Sequence, residues 1–445
     1  MTIIASNGLI FQTDLDAFWT PFASNPAHDT RPHVVNRASD MHYYSPDGRA
    51  ILDATAGAFC ANAGHSRAPI VNAIKAQAGE LELAPFRFTH PSGIALANRI
   101  AALAPSDLTH VYFTNSSAEA IETALKIALA YHNLRGEGAR QRLIGREAAY
   151  HGTGFGGMAV GGIAAHRKLF GSVFAGVDHL PTTYNHDRQA FTKGEPEWGV
   201  HLADELEKIV AVHDCSTIAA VIVDPAASTS DVLPPPVGYL KRLRSICEKY
   251  DILLIFDGSK SSFGRVGYAF AAERYDVLPD MITFGSSVAS GMVPIGGVIV
   301  RDRIHNTFVR GPDDTVVLDQ GCPVSTHPVA CAAGLAALDL YEKEGLFARA
   351  LRLEPIWADA VHSLKGLPNV LDIRSVGLSA AIDLAPKPDA RGKRGYAAMD
   401  RAFCDFDLLL HASGDTLILM PPLIVSEAQI GEIADKTAQA IKAVA

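Results

Sequence analysis

What this chain lacks narrows its function first. Its six cysteines (Cys60, Cys215, Cys247, Cys322, Cys331 and Cys404) contain no C-x-x-C pair. Scattered thiols in a long chain read as reduced, mostly buried residues of a cytoplasmic protein. Basic residues do not dominate: 39 Lys and Arg stand against 48 Asp and Glu, a formal net charge of −9. That balance argues against nucleic acid and an anionic membrane surface as partners, since both demand basic patches. No run approaches the ~20 apolar residues of a membrane span. The N-terminal MTIIASNGLIFQTD places no basic segment before its apolar residues, so it does not read as a secretory signal. Internal repeats and low-complexity tracts are missing. The 17 histidines form no H-E-x-x-H and no Cys/His cluster, so no metal is expected. His151, His327 and His411 read as hydrogen-bonding residues.

What is present is an ordinary globular chain of 445 residues, 48% hydrophobic and 20% charged. It is long enough for two domains, or for one large domain with a smaller appendage. Residues 1–60 read as an N-terminal arm, with an extended segment at Trp19 to Phe22 and a hairpin turned at Asp47-Gly48. From Pro91 to Ala104, the spacing of Ile94, Leu96, Ala97, Ile100 and Leu103 predicts an amphipathic helix. His110 to Thr114 reads as a strand. Ser116-x-x-Glu119 then reads as a capping box opening a helix to about Asn133. The glycine-rich residues 152–162 do not lie between a strand and a phosphate-facing helix, so they read as loop rather than a dinucleotide fingerprint.

Ile218 to Val223 and Ile252 to Phe256 are all-apolar runs that read as buried strands, each ending on an acid, Asp224 and Asp257. A loop and helix join them, a crossover unit of a parallel sheet. Strands alternating with helices to about residue 310 argue an α/β, doubly wound, mainly parallel sheet in 61–325. Beyond residue 326 the pattern changes to strand pairs turned at Gly377 and Gly414-Asp415 and a final helix capped by Ser426-x-x-Gln429. This reads as a smaller α+β domain, 326–445, with which the N-terminal arm packs. Pro386 to Gly395 is the one linker-like patch.

Several stretches resemble, in order and spacing over essentially the whole chain, the class III (fold-type I) pyridoxal-phosphate aminotransferases. The closest likeness is to the β-alanine or ω-amino-acid:pyruvate transaminases. The stretches are ILDATAGAFCANAGH, Asn115-Ser116-Ser117-Ala118-Glu119, Tyr150-His151-Gly152, Asp257 followed by Phe263-Gly264-Arg265, and Pro279-Asp280. The resemblance implies that Ser116, Ser117 and Ala118 hold a cofactor phosphate at a helix N-terminus. It implies that Tyr150 stacks on the pyridine ring beside His151, and that Asp257 pairs with the ring nitrogen and keeps the ring an electron sink. Taken alone, an aspartate at a strand end reads as well as a loop cap.

The departures gather in the same place. Where the family has its Schiff-base lysine this chain has Ser286, which can form no imine and is a poor base when unactivated. Ser117 replaces a glycine and is expected to crowd the phosphate or strain the backbone. Phe59 stands for tryptophan, Asp224 for glutamate and Pro323 for a threonine that reaches across the dimer. His411 stands for the arginine that grips the substrate carboxylate, and lacks its bidentate fork. Arg87 is a candidate replacement clamp. Lys260, three residues past Asp257, is a candidate cofactor partner, carboxylate ligand or base, among Ser259, Ser261, Ser262, Ser286 and Ser287. The bland alternative for Lys260 is a solvated loop lysine.

Three functional readings follow. The first is a transaminase-fold homodimer that does not transaminate by the usual route and holds PLP or PMP, if at all, without a covalent bond at position 286. The second is a cofactor-independent Ser/Lys hydrolase or transferase acting on a small amino or carboxylic acid. The third is a non-catalytic partner of a true transaminase.

Overall fold

The computed structural model describes residues 2–4, 10–12, 21, 33–85, 87–171, 174–226, 231–309 and 318–445. Trp19, Thr20 and Phe22, read above as extended, lie outside them. A seven-stranded sheet dominates. In chain order its strands are β1 (Leu108–Thr114), β2 (Arg142–Arg146), β3 (Val177–Leu180), β4 (Ile218–Val223), β5 (Leu253–Asp257), β6 (Met281–Phe284) and β7 (Gly296–Arg301). Across the sheet they run β1-β7-β6-β5-β4-β2-β3. All neighbours pair in parallel except β7, which is antiparallel to both β6 and β1.

The all-apolar strands are explained by burial on both faces. In β4, Val221 and Val223 pack into one core cluster while Ala220 and Ile222 pack into another. In β5, Leu254 and Phe256 point one way and Leu253 and Ile255 the other. A strand covered on both sides has no polar face to alternate with, so its sequence is continuously apolar. Helix α1 (Ser117–Leu134) covers one face with Ile121, Leu125 and Ala128; α2 (Tyr239–Lys249) covers the other with Leu240, Leu243 and Ile246.

A second sheet holds β8 (Val370–Val376), β9 (Ser379–Leu384), β10 (His411–Ser413) and β11 (Thr416–Leu419), all antiparallel. Its hairpins turn where expected, at Gly377 (φ 54°) and Gly414 (φ 62°). A third sheet joins the two ends of the chain. The hairpin Arg37–Ser39, His42–Tyr44, Ala50–Asp53 is extended by Leu408–Leu409, which pairs in parallel with Leu52 and Asp53. The final helix, Glu427–Lys442, starts with a complete capping box between Ser426 and Gln429. Among the described residues, no helix is long and apolar enough to cross a membrane.

Four local expectations need correction. Residues 155–160 of the glycine-rich stretch form a short helix with Met158, Ala159 and Val160 buried. It packs against a glycine of β2: a Cβ on Gly145 would meet the Val160 carbonyl oxygen at 1.9 Å. Ile94 is 53% exposed, and helix Pro91–Leu103 buries Gly93, Leu96 and Ile100 instead. In the predicted box at α1, the Ser116 hydroxyl accepts from Glu119 N, but Glu119 turns back to Asn115 N. The linker-like patch is tied down, since Asp415 accepts from both Gly392 N and Arg394 N.

Candidate functional site

Strands β4 and β5 end at a cavity of about 500 Å³. Of the residues singled out from sequence, Phe59, Ser117, Ala118, Tyr150, His151, Asp224, Asp257, Lys260 and His411 line it. These come from six separate stretches of chain, as expected for a crevice at the carboxyl ends of parallel strands. Ser116 sits behind the lining as the N-cap of α1. Two candidates are placed elsewhere. Arg87 lines another cavity, with Phe88, Tyr112 and Pro323. Ser286 opens a 3-10 turn, and its hydroxyl donates to Ile295 O at 3.2 Å and accepts from Ile295 N at 3.4 Å. The one proton of that hydroxyl is spent on backbone.

Asp257 is 5% exposed and held from several sides. Its Oδ1 accepts from Ser259 N (3.0 Å), Ser259 Oγ (2.5 Å) and Thr283 Oγ1 (3.2 Å); among the described residues its Oδ2 meets only His151 Nδ1, at 2.8 Å. A carboxylate offers about four lone-pair sites, so Oδ2 keeps capacity for one more donor from the cavity. Burial disfavours the charged form, but the His151 contact and the two Ser259 bonds outweigh it and hold the carboxyl below its ordinary range. His151 Nε2 is buried with no hydrogen-bond partner among the described residues.

Helix α1 points its N-terminus at the cavity through Ser117 and Ala118. Free N–H groups and the positive dipole end there suit an anion. The expected strain at Ser117 is not found: it is an ordinary helical residue, absent from the positive-φ positions. The space comes from across the gap. A Cβ built on Gly285 would lie 3.0 Å from the Ser117 Cβ, so a bare glycine at 285 accommodates the serine at 117.

Lys260 Nζ donates to Ala58 O at 3.2 Å and lies 5.2 Å from the Phe59 ring centre. Burial lowers its pKa, with the Asp257 and Asp224 charges opposing. His411 packs edge-on against the same ring at 5.3 Å, and burial together with Lys260 lowers its pKa. No seryl hydroxyl hydrogen-bonds Lys260 Nζ among the described residues, so the Ser–Lys pairing of the hydrolase reading is not formed. Sequence reasoning missed Tyr396 and Met399, which line the cavity from helix Arg394–Phe406. Their three-residue spacing was the available signal, masked by the linker-like patch before them.

The aminotransferase class-III family matches residues 23–441. The chain belongs to the class-III aminotransferases. It is 49% identical over 95% of its length to an omega-aminotransferase of Caulobacter vibrioides, covering 96% of that protein. It is 39% identical over 98% of its length to a beta-alanine–pyruvate aminotransferase of Pseudomonas aeruginosa, covering 97% of it. Among solved structures, an amine transaminase from an uncultivated Pseudomonas species in the PLP-bound, internal aldimine form superposes with TM-score 0.91 at 29% identity. That match covers 98% of this chain and all of the other. The fold of this class-III aminotransferase is therefore the fold-type I architecture.

Proposed function

We propose that this class-III aminotransferase homologue binds pyridoxal phosphate in the cavity beneath Asp257 but does not run ordinary ω-amino-acid:pyruvate transamination. When bound, the cofactor supplies an electron-withdrawing ring. The residues present suit it: the N-terminus of α1 for the phosphate, the Tyr150 ring for its face, and the spare lone pair of Asp257 Oδ2 for its ring N–H. The observation that carries the rest of the reading is Ser286. Its hydroxyl is committed to Ile295, and it offers neither an amine for imine formation nor a proton relay.

We take the working protein to be a cytoplasmic homodimer, with residues 1–60 and 326–445 forming one unit and 61–325 the cofactor-binding unit. Leu83, Phe88 and Ile94 expose apolar surface around the cavity lined by Cys322 and Pro323, which supports burial of that face in a second copy. An obligate interface buries more than ~2,000 Å².

The test measures β-alanine:pyruvate transamination by protein freed of contaminating transaminases, with light scattering on the same preparation. Loss of acid–base chemistry at position 286 predicts a rate at least about 10²–10⁴-fold below that of a lysine-bearing relative. Ser286→Lys should recover part of it. Adding Ser117→Gly with Gly285→Ala should recover more, because the two positions share one space. Robust turnover by the parent protein, or a monomer at micromolar concentration, overturns the corresponding half of the proposal.

A further inference from the structure

Among the described residues, Lys260 is the one lysine lining the cavity, and no arginine lines it. Its loop leaves β5 in a tight turn that Ser259 fastens to Asp257 through both its N–H and its hydroxyl. The ammonium rests on the Ala58 carbonyl and over the Phe59 ring, and no carboxylate lies within 4.0 Å of it among the described residues. A lysine locked in an ion pair stays protonated and inert. The Ala58 carbonyl and the Phe59 face favour the ammonium more weakly than a bonded carboxylate would, and burial in the cavity opposes the charge.

The platform under it is firmly built. Phe59 has φ 65°, an uncommon conformation for a bulky residue. It is fixed by the turn before it, where Asp53 accepts from Thr55 N, Thr55 Oγ1 and Gly57 N and pairs with His65. On the same ring stands His411, a second base within the cavity.

We infer that Lys260 is the reactive amine of this site and condenses with the carbonyl carbon of an aldehyde. This rests on the reading above that the cavity is the ligand site. The amine lone pair attacks the carbonyl carbon and a C–N bond forms. Both amine protons pass in turn from nitrogen to oxygen, with His411 the available carrier. The first makes the hydroxyl of a carbinolamine; with the second the C–O bond breaks, water departs and the nitrogen lone pair closes the C=N bond. The balance is one aldehyde and one amine giving one imine and one water. An aldehyde suits the lining better than a 2-oxo acid. Among the described residues, no arginine of this copy lines the cavity to fork a carboxylate, while Phe59, Ile121, Ile163, Met399 and Tyr396 supply apolar contact. The aldehyde is either that of pyridoxal phosphate or that of an aromatic substrate, and the two are separable.

The parent protein is incubated with pyridoxal 5′-phosphate or with benzaldehyde, reduced with cyanoborohydride, digested and mapped by mass. Label concentrated on Lys260, forming several-fold faster than on exposed lysines and lost in Lys260→Arg and Lys260→Met, is the expected result. If the variants do not fold, the map of the parent decides alone. Label spread over the lysines with no preference for Lys260 overturns the inference. Benzaldehyde label at Lys260 without pyridoxal phosphate binding upholds the inference and overturns the cofactor reading. Pyridoxal phosphate retained through gel filtration but never trapped at Lys260 does the reverse.

Discussion

Two buried aspartates on adjacent strands solve the same electrostatic problem in opposite ways. Asp280 precedes β6 at one end of the sheet, is 0% exposed, and is surrounded by cations. Arg244 Nη1 lies at 2.7 Å, Arg303 Nη2 at 2.6 Å and Arg301 Nη1 at 3.7 Å, and Leu254 N adds a bond at 2.8 Å. Asp257 ends β5 at the opposite end of the sheet and is held by hydroxyls, one backbone N–H and one imidazole. Burial opposes the charge at both, and in both it is outweighed, by arginines at Asp280 and by His151 and Ser259 at Asp257. The difference marks role. A carboxylate saturated with permanent cations holds a scaffold together, while one held mainly by neutral donors with a lone pair to spare is free to answer a ligand.

The sharpest way to break this contrast is to remove each acid. Asp280→Ala strands buried arginines and should cost about 3–5 kcal/mol of stability in chemical denaturation, as uncompensated buried charge does. Cofactor retention by the molecules that stay folded should be unchanged. Asp257→Asn should do the opposite. Unfolding should shift by less than about 1 kcal/mol, while loss of a charge-assisted bond worth about 1.5–3 kcal/mol weakens pyridoxal phosphate binding roughly 10–100-fold by titration. If both substitutions moved the same quantity, the division into scaffold acid and site acid would fail.

The smallest effect separates the acids from the other titrating groups in pH. Burial first, then Lys193, lowers the His362 pKa from 6.5 to about 4. A depressed folded-state pKa means the unfolded chain takes up protons first. Stability should therefore fall as pH drops from about 6.5 to about 4, by something of order 1 kcal/mol once partial exposure is discounted. His362→Gln should flatten this slope in thermal unfolding. The Asp280 contribution should persist through the same window, because its folded pKa lies below 3.8 and stability is lost only as pH falls through it.

Much of the frame was legible because burial on two faces writes itself plainly: Ile218–Val223 and Leu253–Phe256 have no polar alternation to hide them. The Ser426 cap and the turns at Gly377 and Gly414 were legible because each needs a particular local residue. The site was legible where one strand or helix end carries it, as at Asp257 and Ser117. It was not legible where two remote positions share one space. The fit of Ser117 depends on Gly285, and the short helix at Phe155 depends on Gly145 admitting its backbone. Arg87 lies beside Pro323, apart from the Asp257 cavity of the same copy, and a loop arginine has no periodicity to say which cavity it faces.

The parallel pairing of Leu52 with Leu408 has a consequence for how this chain comes off the ribosome. The edge of Ala50–Asp53 is made almost at once, but its neighbour is synthesised near the end. Until then that edge stands open, a template for pairing with another nascent chain. The β4–α2–β5 unit meets no such delay, since its strands are close in sequence. The floor of the cavity can therefore close early, while its rim, where Phe59 meets His411, must wait for termination. Contacts of such long sequence separation are slow to form. Truncation within the last forty or so residues is thus expected to leave a chain that collapses but exposes this edge to aggregation, rather than a smaller soluble enzyme.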